Sequence, residues 1–385
     1  AEERPNTKGW GWLVTRHPWG ALIAGVLLLA VLALPASQLR LALPDGGSEP
    51  VDSQAFKAYD LTRQSFGEGM TGPIVVVAEF PAGLSEADAK GKQFDVADEL
   101  RSVENVKAAV PLALSENRET AVFQVIPEDG PASAGTVEVV SELRAKGPEI
   151  HSNTGATIGL TGQTASNIDV SAKLGAALPP YLVIVVGLSL ILLLLVFRSV
   201  VVPLLATGGF LLSLAAAFGV VVAVYQWGWL GTVFGVANPG AVLSFLPIIL
   251  IGVLFGLAMD YQVFITSGMR ESFMHGESAR HAVRNGYSHA AAVVTAAAII
   301  MVSVFAGFIF SHLTMVRPLG FAMAFGVLVD AFVVRMTIVP AVMYLLGEKA
   351  WWLPRWLSRV LPDVDVEGAR LQQPATAPPI RELVH

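Results

Sequence analysis

The chain has no cysteine and little charge. Without cysteine there is no disulfide framework, no thiol nucleophile and no thiolate metal site. Charged residues make up 15% of its 385 residues and hydrophobic ones 54%. A soluble domain carries roughly 25% charged residues. No P-loop pattern ending in Gly-Lys-Ser/Thr occurs, which excludes nucleotide hydrolysis by that route. Neither HExxH nor GxSxG occurs, so zinc-peptidase and serine-hydrolase signatures are missing too. The N-terminus lacks a cleavable signal pattern with a small-residue cleavage site. The net charge of -6 excludes little.

What the chain does have is long apolar runs. Six are about 18 residues or longer, enough to cross a bilayer core. They lie at roughly 19–37, 178–197, 202–227, 241–269, 290–311 and 318–346. Basic residues in the short connections set the orientation. Lys8, Arg16, Arg198, Arg270, Arg280, Arg284, Lys349, Arg355 and Arg359 fall on one side, with only Arg317 on the other. Both ends are therefore expected inside, in a multi-pass protein of the plasma (inner) membrane. Residues 1–18 read as a cytoplasmic or interfacial segment, 19–39 as the first transmembrane helix and 40–176 as an extracytoplasmic domain. Residues 177–347 read as a five-helix bundle, and 348–385 as an interfacial helix followed by a Pro-rich, disordered tail.

The polar stretch shows both periods. Residues 72–80, 105–115, 120–128 and 156–165 read as strands. Residues 85–103 and 134–147 read as helices, the first with Phe94, Val96 and Leu100 at roughly helical spacing. The order β-α-β-β-α-β is the ferredoxin-like split unit. A further helix at 53–66 leads in from the first span. Acidic residues outnumber basic ones here by 20 to 11, which excludes nucleic acid as a partner. The expected fold class is an α-helical polytopic membrane protein of six transmembrane helices, with an α+β ferredoxin-like extracytoplasmic porter domain inserted after the first helix.

Charges inside the spans carry the functional reading. In "GLAMDYQVFI" Asp260 lies ten residues before Arg270, or about 15 Å along a helix. That is half of a ~30 Å core, so Asp260 is placed at the midplane. Asp330 lies twelve residues after Pro318, about 18 Å from the outer face, with Arg335 about 7 Å further in. Gly252, Gly256, Asp260 and Phe264 form one stripe, and Ala322, Gly326, Asp330 and Val334 another. Small residues at this spacing let helices approach closely, so each aspartate is expected on a helix-packing face. A charge at bilayer centre costs at least ~2.5–3.5 kcal/mol, which makes such residues functional candidates. Asp260 can take up and release protons, with Tyr261 as a hydrogen-bond donor beside it. Asp330 and Arg335 are either part of a relay or a salt bridge that holds the bundle. Thr295 and Ser303, near mid-depth of the fifth span, are weaker relay candidates, since such hydroxyls also bond their own helix. An intramembrane aspartyl protease fits less well. Its YD motif is reversed here. No metal or cofactor is implied.

The layout resembles one half of a transporter of the RND superfamily: one span, a large outside domain, then five spans. It is most similar to the MmpL (YdfJ-like) branch. "GLAMDYQVFITSGMRE" resembles that branch's "GLAMDYEVFLVSRMRE", and "AFGVLVDAFVVRMTIVPAVMYLLGEKAWWLP" its final span and following segment. "FGEGMTGPIVVV" and "LTGQTASNID" resemble the edges of its porter domain. The resemblance implies a secondary active transporter, not an enzyme. It would export lipids or hydrophobic compounds, with protons as coupling ion and Asp260 and Tyr261 as the proton relay. Asp330 and Arg335 match the family's final-span charged residues. Gln262 and Gly268 depart from the usual glutamate and arginine. The family joins two such halves, so six spans and an initial Ala1 suggest the C-terminal half of a longer chain. The expected partners are the N-terminal half or a second copy, the membrane and a lipid substrate. A reading from another class stays open: a non-transporting membrane scaffold whose outside domain binds a partner.

Overall fold

The structure, a computed structural model, describes residues 9–236 and 238–361. The tail expected to be disordered and the first eight residues lie outside the described residues. Among the described residues six helices are long and apolar enough to cross a membrane. Numbered one to six in chain order, these spans are Pro18–Gln38, Gly162–Phe197, Val201–Gln226, Leu246–Met274, Ala290–Ile309 and Thr314–Trp351. The fifth belongs to a longer helix, Ala279–Ile309.

Several bounds differ from the sequence reading, each for a local reason. Span two begins at Gly162, far before residue 178, and runs unbroken through Pro179 and Pro180. The preceding strand stops at Thr161 because Gly162 turns the chain at φ +91°, a conformation that glycine adopts without a Cβ clash. Span four starts at Leu246, with Pro247 inside its first turn, rather than at 241. Residues before it are extended instead. Strand β1, Leu41–Ala42, pairs in parallel with Val242–Leu243, which becomes β6 in the numbering below. The pairing ties the exit of span one to the entry of span four. Gln226 reinforces it: its Oε1 accepts from Arg40 N at 2.9 Å and its Nε2 donates to Gln38 O at 2.7 Å.

Between spans one and two the chain forms an α+β domain. A helix at Gln54–Phe66 leads in, capped by Ser53, whose Oγ accepts from Phe56 N at 3.0 Å. Strands β2 (Ile74–Glu79), β3 (Val106–Leu114), β4 (Thr120–Pro127) and β5 (Thr157–Thr161) form one sheet in spatial order β3-β4-β2-β5. Every neighbouring pair is antiparallel. Helix Glu86–Arg101 joins β2 to β3, and helices Ala134–Ala145 and Gly147–Thr154 join β4 to β5. Alternation puts Ile74, Val76, Phe123 and Val125 on the covered face, against Val96, Leu100, Val139 and Leu143 of the helices. Each such side chain contributes about 1.5–3 kcal/mol on burial. Phe94 does not join them and is 65% exposed. It lies two residues, or about 200° of helix, from Val96, so it faces the other way; Gln93 and Ala97 are buried in its place.

In the membrane bundle, spans three and six are mostly buried, spans one, two and five mostly exposed, and span four is divided. Apolar side chains on all sides mark the first two as the bundle's centre. Bare glycine backbone sets the closest approach. A Cβ on Gly219 of span three would lie 1.9 Å from the Leu32 carbonyl oxygen of span one. Gly219→Ala is therefore expected to destabilise the protein by about 1–3 kcal/mol through overpacking. Thermal unfolding in detergent checks this, with Gly208→Ala as the control, since a Cβ there meets nothing within 4 Å.

After span six, the interfacial helix expected within 348–385 is Arg355–Val360, because Pro354 starts it. Trp352 and Trp356 are exposed, as an interfacial segment requires.

Candidate functional site

Span six is not a uniform α-helix. Arg317–Leu328 and Val339–Leu346 are α-helical, and Val329–Ile338 between them is π-helical. In an α-helix, residues five apart lie about 140° around the axis from one another. The i→i+5 register of a π-segment brings them onto neighbouring turns of one face. Asp330 and Arg335 are such a pair. Arg335 Nε donates to Asp330 Oδ2 at 3.2 Å, and the two residues are 0% and 3% exposed.

Two other spans complete a polar network. Ser213 of span three donates from Oγ to Asp330 Oδ1 at 3.3 Å. Gln262 of span four accepts from Arg335 Nη1, and its Nε2 donates to Thr266 Oγ1 at 2.6 Å. Close packing holds the pieces together. A Cβ on Gly209 would come within 2.4 Å of Val334 Cγ1, so span three abuts the π-segment through bare backbone. The structure thus realises the salt bridge between Asp330 and Arg335, in a form closed on three helices.

Asp260 is placed differently from expectation. Leu254, Ala258, Tyr261, Gln262 and Ile265 of span four point into the bundle. Gly252, Gly256, Asp260 and Phe264 form the expected stripe, but it faces out of the bundle. Among the described residues this face is open at Gly256 and Asp260, while at Gly252 a Cβ would come within 3.0 Å of the Tyr181 hydroxyl of span two. Helix geometry fixes which residues share a face, and it leaves open which molecule covers that face. Among the described residues Asp260 makes no hydrogen bond or ion pair. The corresponding stripe of span six, Ala322, Gly326, Asp330 and Val334, is buried as expected.

Tyr261 connects the two environments. It follows Asp260 directly on span four, and its ring is buried toward the bundle. The Tyr261 hydroxyl and Arg335 Nη2 are buried donors without a hydrogen-bond partner among the described residues. Thr295 is half-buried and turns its hydroxyl to Met336 Sδ in the π-segment at 3.5 Å. Ser303 is exposed and bonds back to Ile299 O of its own helix at 2.7 Å, which leaves it outside the network. The sequence reading missed Ser213 and Thr266 and took Gln262 only as a departure from a motif. The available signal was a lone hydroxyl or amide in an apolar span at the depth of a buried charge. Among the described residues no cluster of three or more His, Asp or Glu could hold a metal.

The arrangement provides a buried ion-pair network, an exposed aspartate on span four, and a buried phenol next to that aspartate in the chain. A phenol can donate a proton or pass one along, and a carboxylate can accept it.

Comparison with known proteins follows this geometry. Residues 48–363 match the MMPL family model. Membrane protein YdfJ of Bacillus subtilis is 40% identical over 371 residues, covering 96% of this chain and 50% of the relative. The mycolic acid-containing lipids exporter MmpL11 of Mycolicibacterium smegmatis is 34% identical over 360 residues, covering 93% of this chain and 38% of the relative. The trehalose monomycolate exporter MmpL3 of Mycobacterium tuberculosis is 36% identical over 225 residues, or 57% of this chain and 23% of the relative. The chain spans about half the length of YdfJ, and less of the mycobacterial proteins. With a family match over most of its length and these relatives beside it, the chain belongs to the MMPL family.

Proposed function

We propose that this chain is one half of a proton-driven exporter of lipids or other hydrophobic compounds, and that Asp260 is its coupling carboxyl. One observation carries the reading: an aspartate at mid-span that stays exposed, with Gly256 and Phe264 on its face, among the described residues. Facing hydrocarbon alone, such a group is costly; facing a second set of helices, it has a partner to gain and lose. The other half of a longer protein, or a second copy, supplies that partner. The relatives' length supports this, since YdfJ has room for two such units. The printed names of MmpL11 and MmpL3 support lipid export.

In this reading protonation of Asp260 removes its attraction across the half–half interface, and the helices shift. Tyr261 links that event to the network at Asp330 and Arg335, so the π-segment of span six moves with it. The α+β domain acts as a ferredoxin-like porter domain; its strand order β3-β4-β2-β5 is that of the split unit. It lies on the extracytoplasmic side of the plasma membrane, with both termini cytoplasmic, as the distribution of basic residues supports.

The test is lipid transfer by the full-length protein in proteoliposomes, with and without an imposed pH gradient. Transfer is expected to rise with the gradient and to stop when a protonophore collapses it. Transfer indifferent to the gradient removes the coupling claim, and no transfer in either condition favours the scaffold reading.

A further inference from the structure

A cavity of about 480 Å³ opens where the chain leaving span one, the loop between spans three and four, and the loop before span six meet. Its walls include Leu43, Val51, Val236, Met315 and Pro318. Two polar side chains line it: an arginine held by two backbone carbonyls and a buried phenol. Arg317 stands at the start of span six, with Nε on Ser311 O at 2.7 Å and Nη1 on Gly235 O at 2.9 Å. Gly235 has φ +66°, and a Cβ there would lie 2.6 Å from Arg317 Nη1, so bare backbone lets the guanidinium seat. No carboxylate pairs with Arg317 among the described residues. Glu49 and Asp52 also line the cavity, but Asp52 faces His312 at 3.9 Å and neither pairs with Arg317.

The second group is Tyr225. It is 8% exposed, its ring packs edge-on against Phe321 at 5.6 Å, and its buried hydroxyl has no partner among the described residues. Tyr225 and Arg317 both line this cavity. A fixed guanidinium with spare N–H donors beside a fixed phenol donor matches an anionic oxygen group such as a phosphate.

The surroundings indicate where that phosphate comes from. Trp227 and Trp229, in contact at 5.4 Å, stand exposed beside the cavity, as do Leu230 and Val233. Exposed tryptophans at the end of a span mark the headgroup level of a bilayer. The apolar walls leave room for the first carbons of an acyl or glycerol moiety, which a free anion would not use.

We propose that this cavity binds the phosphate headgroup of an anionic lipid, with Arg317 and Tyr225 as its ligands. Binding needs neither Asp260 nor a proton gradient; only the further step, that the bound lipid is cargo, rests on the exporter reading.

The test is native mass spectrometry of the purified full chain released from nanodiscs of equimolar phosphatidylglycerol and phosphatidylcholine. Bound lipid is expected to be enriched in phosphatidylglycerol over the bilayer. Arg317→Gln is expected to cut the enrichment about tenfold, the loss of one charge-assisted contact. Tyr225→Phe keeps the ring on Phe321 and is expected to cut it about threefold, the loss of one neutral hydrogen bond. Ser303→Ala, whose hydroxyl bonds back to its own helix, is expected to leave the enrichment unchanged. Equal retention of both lipids, or enrichment untouched by both variants, overturns the proposal. Displacement of the lipid by millimolar inorganic phosphate overturns the lipid assignment and leaves a free-anion site.

Discussion

Arg335→Met is expected to destabilise the protein by about 3–5 kcal/mol, the largest single-residue effect in the bundle. The reason is the residue left behind. Asp330 is 3% exposed and its Oδ2 loses its cationic partner, while among the described residues Ser213 remains on Oδ1. A buried carboxylate without a counter-charge costs far more than the pair contributes when intact. Gln262 loses its donor from Arg335 as well, so a second buried acceptor goes unpaired. The double variant Arg335→Met with Asp330→Leu removes both charges and is expected to recover most of the loss. Thermal or denaturant unfolding of wild type, both singles and the double closes the cycle. A single variant that melts within about 1 kcal/mol of wild type would show that the network is not charge-balanced as described.

Asp260→Asn is expected to do the reverse: little to stability, nearly everything to transport. Among the described residues its side chain makes no hydrogen bond or ion pair, so the isosteric amide removes no such contact. An amide cannot carry a proton, so gradient-driven lipid transfer by the full-length protein is expected to fall by about 100-fold or more, the upper part of the range for losing a general acid–base group. Ser303→Ala is expected to change neither property appreciably, because its hydroxyl serves only its own helix. Wild-type transfer rates in Asp260→Asn would return the relay to Asp330, Arg335 or another carboxyl.

The contrast between these two aspartates shows what the sequence could and could not reveal. Span count, the β-α-β-β-α-β order and the mid-span depth of Asp260 and Asp330 follow from hydropathy and counting along a helix. The two stripes of small residues were legible as faces, and both exist. Their fates differ because a face is a property of one helix and its cover a property of the assembly. The pairing of Asp330 with Arg335 was legible only as a possibility. At α-helical spacing the two point apart, and the π-register that unites them comes from packing against spans three and four, which no local pattern records. Gln262 was visible as a motif departure, yet its role needed the third dimension: it stands where Arg335 reaches across to span four. The cavity at Arg317 and Tyr225 joins segments more than ninety residues apart in sequence, so no periodicity marked it.

The most direct measurement is difference infrared spectroscopy of the full-length protein in lipid, following the protonated-carboxyl band as the bath pH is stepped. Wild type is expected to show a carboxyl that gains and loses its proton, with the signal absent in Asp260→Asn and retained when Asp330 and Arg335 are both replaced by apolar residues. A titrating band that survives in Asp260→Asn and disappears only with Asp330 would contradict the assignment of the open carboxylate as the proton carrier.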